Sequence, residues 1–217
     1  MALTGAQSLV ETLDRLGVEH LFGLPGTLTL PVYDALVGRS RPRPVGMRHE
    51  QGAGFAADGY AKASGWPGAV FTVPGPGGTN LATALASALE DSVPLVAITA
   101  QLPPSLRGKS AIHDADIEGV LRPVVKTSFR TEGPEAIAPA LEAAFAWARA
   151  SRPGPVQVVV TTDLLTAELN PRARAPAFES PPAPPPPDEG AIEGAVRLLR
   201  SARLPVLYAG AGVVAAG

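Results

Sequence analysis

Apolar residues at Leu9, Val10, Leu13 and Leu16 recur at helical spacing, and Gly17 follows as a natural stop, which predicts a helix over Leu3–Leu16. A short apolar run, Val18–Phe22, closes on Gly23-Leu-Pro-Gly26, a strand leading into a tight turn. The alternation continues with a helix near Pro31–Leu36, a strand near Val45–Met47 and an alanine-rich helix over Glu50–Ser64. Then follow strand Ala69–Val73, helix Thr79–Leu89, buried strand Pro94–Thr99, a strand near Val124–Phe129, helix Pro134–Arg149 and a β-rich run at Val156–Val160. Strands alternating with helices at this spacing predict an α/β fold: a mainly parallel, twisted sheet with helices on both faces. In such sheets a ligand lies beyond the carboxyl ends of the strands. That directs attention to Gly23–Gly26, Arg48–Glu50, Pro74–Asn80 and Ala100–Asp116.

The pattern breaks between Asn170 and Asp188, where Pro171, Pro176, Pro181, Pro182 and Pro184–Pro187 predict an extended connector with no core-forming period. Beyond it, Ile192–Leu199 is helix-like and Leu204–Gly212 is expected to open a new strand and glycine turn. The expected division is residues 1–168 as one domain, 169–188 as linker and 189–217 as the start of a second domain. About 30 residues cannot bury a core of their own, so the sequence is expected to be part of a longer polypeptide.

Composition narrows the function. Of 217 residues, 46% are hydrophobic and 18% charged, enough for a sizeable core. The balance of 18 Lys and Arg against 20 Asp and Glu gives a net charge of −2 without a basic run, so nucleic acid is not an expected partner. The absence of cysteine excludes disulfides, zinc thiolates and a cysteine nucleophile. With no stretch of about 20 apolar residues and no signal-peptide pattern, a cytoplasmic protein away from the membrane is the expectation.

Four constellations could carry chemistry. Glu50 opens a helix right after a strand, where it is either an ordinary first-turn acid favoured by the helix dipole or a half-buried proton-transfer group between two glycine turns. The zinc-protease reading of His49-Glu50 fails, because Ala53 stands where a second histidine is needed. Pro74-Gly-Pro-Gly-Gly-Thr-Asn80 has the position of a phosphate cradle but lacks the Walker lysine, and its prolines remove donors; a turn that lets a flat ring approach the backbone fits better. His113-Asp114-Ala-Asp116 reads as helix-capping aspartates beside a histidine that could shuttle protons. Gly210-Ala-Gly212-Val-Val-Ala215 has dinucleotide-fingerprint spacing without the acidic ribose partner.

The order of motifs says more than any one of them. Gly23-Leu-Pro-Gly, Met47-Arg-His-Glu-Gln-Gly-Ala-Gly, Ala57-Asp-Gly-Tyr-Ala, Gly75-Pro-Gly-Gly-Thr-Asn and Asp91-Ser-Val-Pro-Leu-Val-Ala-Ile-Thr, followed by Asp116-Ile, Arg122-Pro-Val-Val-Lys and Arg152-Pro-Gly-Pro-Val, resemble the thiamine-diphosphate-dependent enzymes of the acetolactate synthase type. The resemblance covers Leu3 to about Leu165 and implies that family's pyrimidine-binding domain. It implies that Glu50 hydrogen-bonds N1′ of the aminopyrimidine and favours its imino form. It also puts Pro25, Gly26, Pro76, Gly77 and Asn80 along the cofactor wall, and Lys126 and His113 toward a 2-keto acid substrate such as pyruvate. Arg152 and Gly210–Gly212 match FAD-contacting positions of the synthases, which leaves a flavin open for the complete enzyme.

Two departures bear on substrate. Ile112-His113-Asp114 stands where the synthases usually have Phe-Gln-Glu, and Pro74 replaces a serine. A histidine in this loop is a decarboxylase feature, so a 2-keto acid decarboxylase is the alternative to carboligation, and a non-catalytic dimerising fragment is a third reading. The diphosphate and Mg²⁺ of the family sit on a Gly-Asp-Gly segment that this sequence does not contain. A homo-oligomer, or a separate chain carrying that half, is therefore the implied partner.

Overall fold

A computed structural model describes residues 2–216, the side chains of 214–216 excepted. It forms two compact units, residues 1–181 and 182–217.

The first unit begins with α1 (Gly5–Arg15), whose N-cap Thr4 and residue Gln7 form a reciprocal capping box. It leads into β1 (His20–Gly23), α2 (Leu30–Leu36), β2 (Arg43–Gly46) and α3 (Glu50–Ser64), which starts at the residue its sequence predicts. The His49 ring caps α3 by accepting from the Gln51 N–H at 3.1 Å, and Gly65 ends it at φ 73°. After β3 (Gly68–Thr72), the single expected helix over Thr79–Leu89 is in fact two, α4 (Pro76–Thr79) and α5 (Ala82–Glu90). Pro76, with its fixed φ and no N–H, starts α4 inside the glycine turn.

β4 (Leu95–Gln101) is followed by a long loop and α6 (Ile117–Leu121), capped by Asp116, whose carboxylate accepts from the Gly119 N–H at 2.9 Å. The strand expected near Val124–Phe129 is shorter and later: Arg122–Val124 form a 3₁₀ turn around Pro123, and β5 is Ser128–Arg130. Then come α7 (Ile137–Arg149), β6 (Pro155–Thr161) and α8 (Thr162–Thr166), a five-residue helix that no periodicity in the sequence announces.

All six strands are parallel, in the order β2-β1-β3-β4-β6-β5. Every residue of β3, β4 and β6 is buried, as a sheet covered on both faces requires. One face packs Phe71, Val96, Ile98 and Val158 against α1, α2 and α7; the other packs Val70, Leu95 and Ala97 against α3, α5 and α6. The chain leaves β1 toward β2 on one side and returns to β3 on the other, so the carboxyl ends of β1 and β3 bound a topological switch point, where loops diverge and leave a crevice.

The first unit runs past the expected boundary at 168. Phe178 packs edge-on against Phe129 with centroids 5.4 Å apart, and the Trp147 indole N–H donates to the Glu179 carbonyl at 2.7 Å. In the second unit, α9 (Glu189–Ser201) is capped by Asp188 and α10 spans Ala211–Ala216. The strand expected from Leu204 does not form among the described residues. A strand needs a neighbour for its backbone groups, and residues 182–216 supply none.

Candidate active site

The crevice between β1 and β3 holds a cavity of ≈ 160 Å³, lined by Leu24 to Leu28 together with Glu50, Val73 and His113. Two turns close on it from either side. A Cβ at Gly26 or at Gly77 would come within 2.5 Å of the Val73 side chain, so only glycine lets both turns wrap that residue. Val73 is thereby the floor between them.

Glu50 enters from the first turn of α3 and is 6% exposed. Its Oε2 accepts from the Asn80 side-chain amide at 2.9 Å, and its Oε1 lies 3.2 Å from where a side chain at Gly77 would begin. The break between α4 and α5 is what makes this possible. Asn80 sits in that break, its N–H bonded to the Pro76 carbonyl, and a continuous helix from Thr79 would have placed it differently. Asn80 fixes one carboxylate oxygen and leaves the other for a ligand.

His113 reaches the same cavity from the loop after β4. Its backbone is left-handed at φ 68°, an uncommon state for a residue with a side chain, and its Nδ1 is buried with no hydrogen-bond partner among the described residues. Gly75, at φ 64°, packs directly on it: a Cβ there would lie 2.8 Å from the His113 Cα.

Tyr33, on α2, belongs to the same neighbourhood and had no place in the sequence reading. Its hydroxyl is buried without a partner among the described residues, 2.7 Å from a Cβ position at Gly23. Burial, and secondarily the Glu50 charge, push its pKa up to about 12. The only hint in the sequence was an aromatic residue one turn into the helix that follows the first glycine turn.

The other two candidates lie elsewhere. Lys126, expected to meet substrate, is at the amino end of the sheet: its N–H bonds the carbonyl of Pro155, the first residue of β6. Its ammonium donates to the Trp147 and Ala150 carbonyls at 2.6 and 2.8 Å, capping α7, and burial lowers its pKa. Arg152 lies at the same end and caps α5, donating to the Leu89 and Glu90 carbonyls and to Ser92 Oγ. The resemblance singled out both cations, but the parallel topology puts the starts of β5 and β6 at the end of the sheet away from Glu50. The flavin expectation therefore gains nothing from the geometry of Arg152. The glycines Gly210 and Gly212 flank the start of α10 in the second unit, without the strand a dinucleotide fingerprint follows.

The family model described as "Thiamine pyrophosphate enzyme, N-terminal TPP binding domain" matches residues 3–120, which include both glycine turns, Glu50, Asn80 and His113. The chain belongs to this family. Among its curated relatives is the acetolactate synthase large subunit of Corynebacterium glutamicum, 44% identical over 218 residues, covering 99% of this chain and 34% of that protein. Another is the acetolactate synthase isozyme 1 large subunit of Escherichia coli, 39% identical over 97% of this chain and 37% of that protein. A third is the chloroplastic acetolactate synthase of Arabidopsis thaliana, 43% identical over 96% of this chain and 32% of that protein. The chain spans about a third of the length of these relatives.

The residues present fit the pyrimidine end of the family's cofactor: a cavity lined by the turn after β1 and by Val73, on which the second glycine turn packs, a buried carboxylate with one oxygen not engaged by Asn80, and an imidazole nitrogen without a partner among the described residues. Among the described residues there is no group of three or more His, Cys, Asp or Glu that could hold a metal ion. Nor, among them, is any helix long and apolar enough to cross a membrane.

Proposed function

We propose that this chain supplies the pyrimidine-binding half of a thiamine-diphosphate-dependent enzyme of the acetolactate synthase type, acting on a 2-keto acid such as pyruvate. The observation that carries this reading is the buried Glu50 carboxylate, held through one oxygen by Asn80 at the switch point and open through the other. Thiamine diphosphate, when bound, supplies the electron sink on which a 2-keto acid can lose CO₂. Pro25 and Gly26, which line the cavity, and Pro76 and Gly77, in the turn packed on Val73 and Glu50, would receive its aminopyrimidine. Glu50 would hold a hydrogen bond or a proton at ring nitrogen N1′ through the carboxylate oxygen that Asn80 does not engage. Burial makes such a charge-assisted bond stronger than it would be in water. The diphosphate and Mg²⁺ would be held by a second half, carried by further sequence or by another chain, and in the latter case the active enzyme is an assembly. FAD is a candidate ligand of the complete enzyme alone.

His113 favours a second outcome on the same site. An imidazole lining the cavity can hand a proton to the product of decarboxylation, which releases an aldehyde instead of joining a second keto acid.

The test is Glu50→Gln in the enzyme completed with its diphosphate-binding half, with thiamine diphosphate, Mg²⁺ and pyruvate. CO₂ release is expected to be lost while the near-ultraviolet circular dichroism of the fold is unchanged. Retained turnover would overturn the reading. Acetolactate or acetaldehyde as the wild-type product decides between the two outcomes.

A further inference from the structure

The loop from Leu102 to Asp116 carries no strand or long helix, yet it holds His113 in a left-handed conformation over the cavity. Something must fix its ends. Gln101, the last residue of β4, is 1% exposed, and its side chain bonds to both of them. Its Oε1 accepts from the Leu102 N–H at 2.9 Å where the loop leaves the sheet, and its Nε2 donates to the Ala115 carbonyl at 2.9 Å where the loop rejoins α6. The same Ala115 carbonyl accepts from the Ile117 N–H, so one amide ties the loop's start to its end and to the helix after it. Inside the loop, the Asp114 carboxylate accepts from the Lys109 N–H at 3.2 Å. From the opposite side the loop rests on Gly75, where any side chain would strike the His113 backbone.

We propose that Gln101 is the positioning residue that holds His113 over the Glu50 cavity. It stands at the end of a fully buried strand whose other polar residue is Thr99, and there a polar side chain would cost stability unless both of its groups were bonded. Both are, and both bonds serve the loop and not the sheet. A strained residue persists only where its surroundings over-determine it, and here the clamp and the Gly75 contact do so from two directions. The benefit of holding an imidazole there rests on the reading of the site given above; the clamp itself does not.

The test has two independent arms. In the full chain, the wild type is expected to show a nuclear Overhauser contact between the α-protons of Gly75 and His113. Gln101→Met, of similar volume but unable to bond, loses it while core signals of Phe71 and Ile98 stay in place. Where Gln101→Met does not fold, Gln101→Glu is used: it keeps the acceptor for Leu102 but cannot donate to Ala115 when ionised, and it too must lose the contact. A contact that survives in the folded variant overturns the clamp.

In the completed enzyme with thiamine diphosphate, Mg²⁺ and pyruvate, Gln101→Met lowers kcat on the order of 10²-fold, the scale of a misplaced catalytic group, with KM unchanged. The same change made in a His113→Gln background adds nothing further, because Gln101 acts through His113. Additive losses overturn the proposal by showing that Gln101 acts elsewhere. If Glu50→Gln keeps its turnover, the reading of the reaction fails, and the Overhauser contact still decides the clamp.

Discussion

The two ends of this sheet use polar side chains in opposite ways. At the amino end, Lys126 and Arg152 have their donors spent on the carbonyls that end α7 and α5. At the carboxyl end, Glu50 has one oxygen engaged and one open, and the His113 Nδ1 and Tyr33 hydroxyl are buried without partners among the described residues. Folded proteins satisfy nearly all buried polar groups, and at the carboxyl end the open Glu50 oxygen and the His113 Nδ1 face a cavity that a ligand can enter. Charge and residue type did not separate the two ends. Buried atoms without a partner among the described residues occur at both, His20 Nδ1 and Trp66 Nε1 at the amino end included; what separates them is the cavity, which Glu50 and His113 line and neither cation reaches.

The largest expected effect tests the open end directly. Glu50→Gln removes the charge but leaves an oxygen that can accept from Asn80, so the completed enzyme should lose 10²-fold or more in CO₂ release, a loss on the scale of general acid–base catalysis, with little change in Tm. Asn80→Ala should lower turnover by roughly 10- to 100-fold, equivalent to a charge-assisted hydrogen bond of ~1.5–3 kcal/mol, and a glutamine in its place should not restore it if the reach from the helix break matters.

The amino end should answer with stability alone. Lys126→Met leaves two helix-ending carbonyls without their donor, at a cost of about 1–3 kcal/mol in urea denaturation, while the kcat of the completed enzyme holds. A fall in kcat at constant stability would break the comparison. Arg152→Ala, on an exposed residue, should cost less, about 1 kcal/mol or under.

The smallest effect is a titration. The raised pKa of Tyr33 means that the folded state keeps a proton the unfolded chain gives up near pH 10. Its contribution to stability is full below that pH and is lost as the pH rises toward 12. Ultraviolet difference spectra should show a tyrosine that ionises only toward pH 12, and Glu50→Gln should advance its ionisation, because the neighbouring charge is the second cause of the shift.

Much of this was legible beforehand where local rules are strong. The start of α3 at Glu50, an aspartate cap on α6 by Asp114 or Asp116, and the parallel α/β order followed from periodicity, capping chemistry and the spacing of apolar runs; the structure chose Asp116. The split at Asn80, the late and short β5, and the missing strand after Leu204 did not. Each depends on which backbone groups find a partner, and a propensity cannot report that. Gln101 was hidden for a related reason: a polar residue closing an apolar run reads as a strand end until its two partners are seen.

By itself the sequence determined the class of fold, the order of its elements and the identity of the acid at the head of α3, because helix and strand periods and glycine turns are written in neighbouring residues. Only the tertiary structure decided which of the candidate side chains share a cavity. Strand order is a long-range property: it carried the ends of β1 and β3 together around Glu50 and His113, and sent Lys126 and Arg152 to the other side of the sheet, where helix carbonyls claimed them.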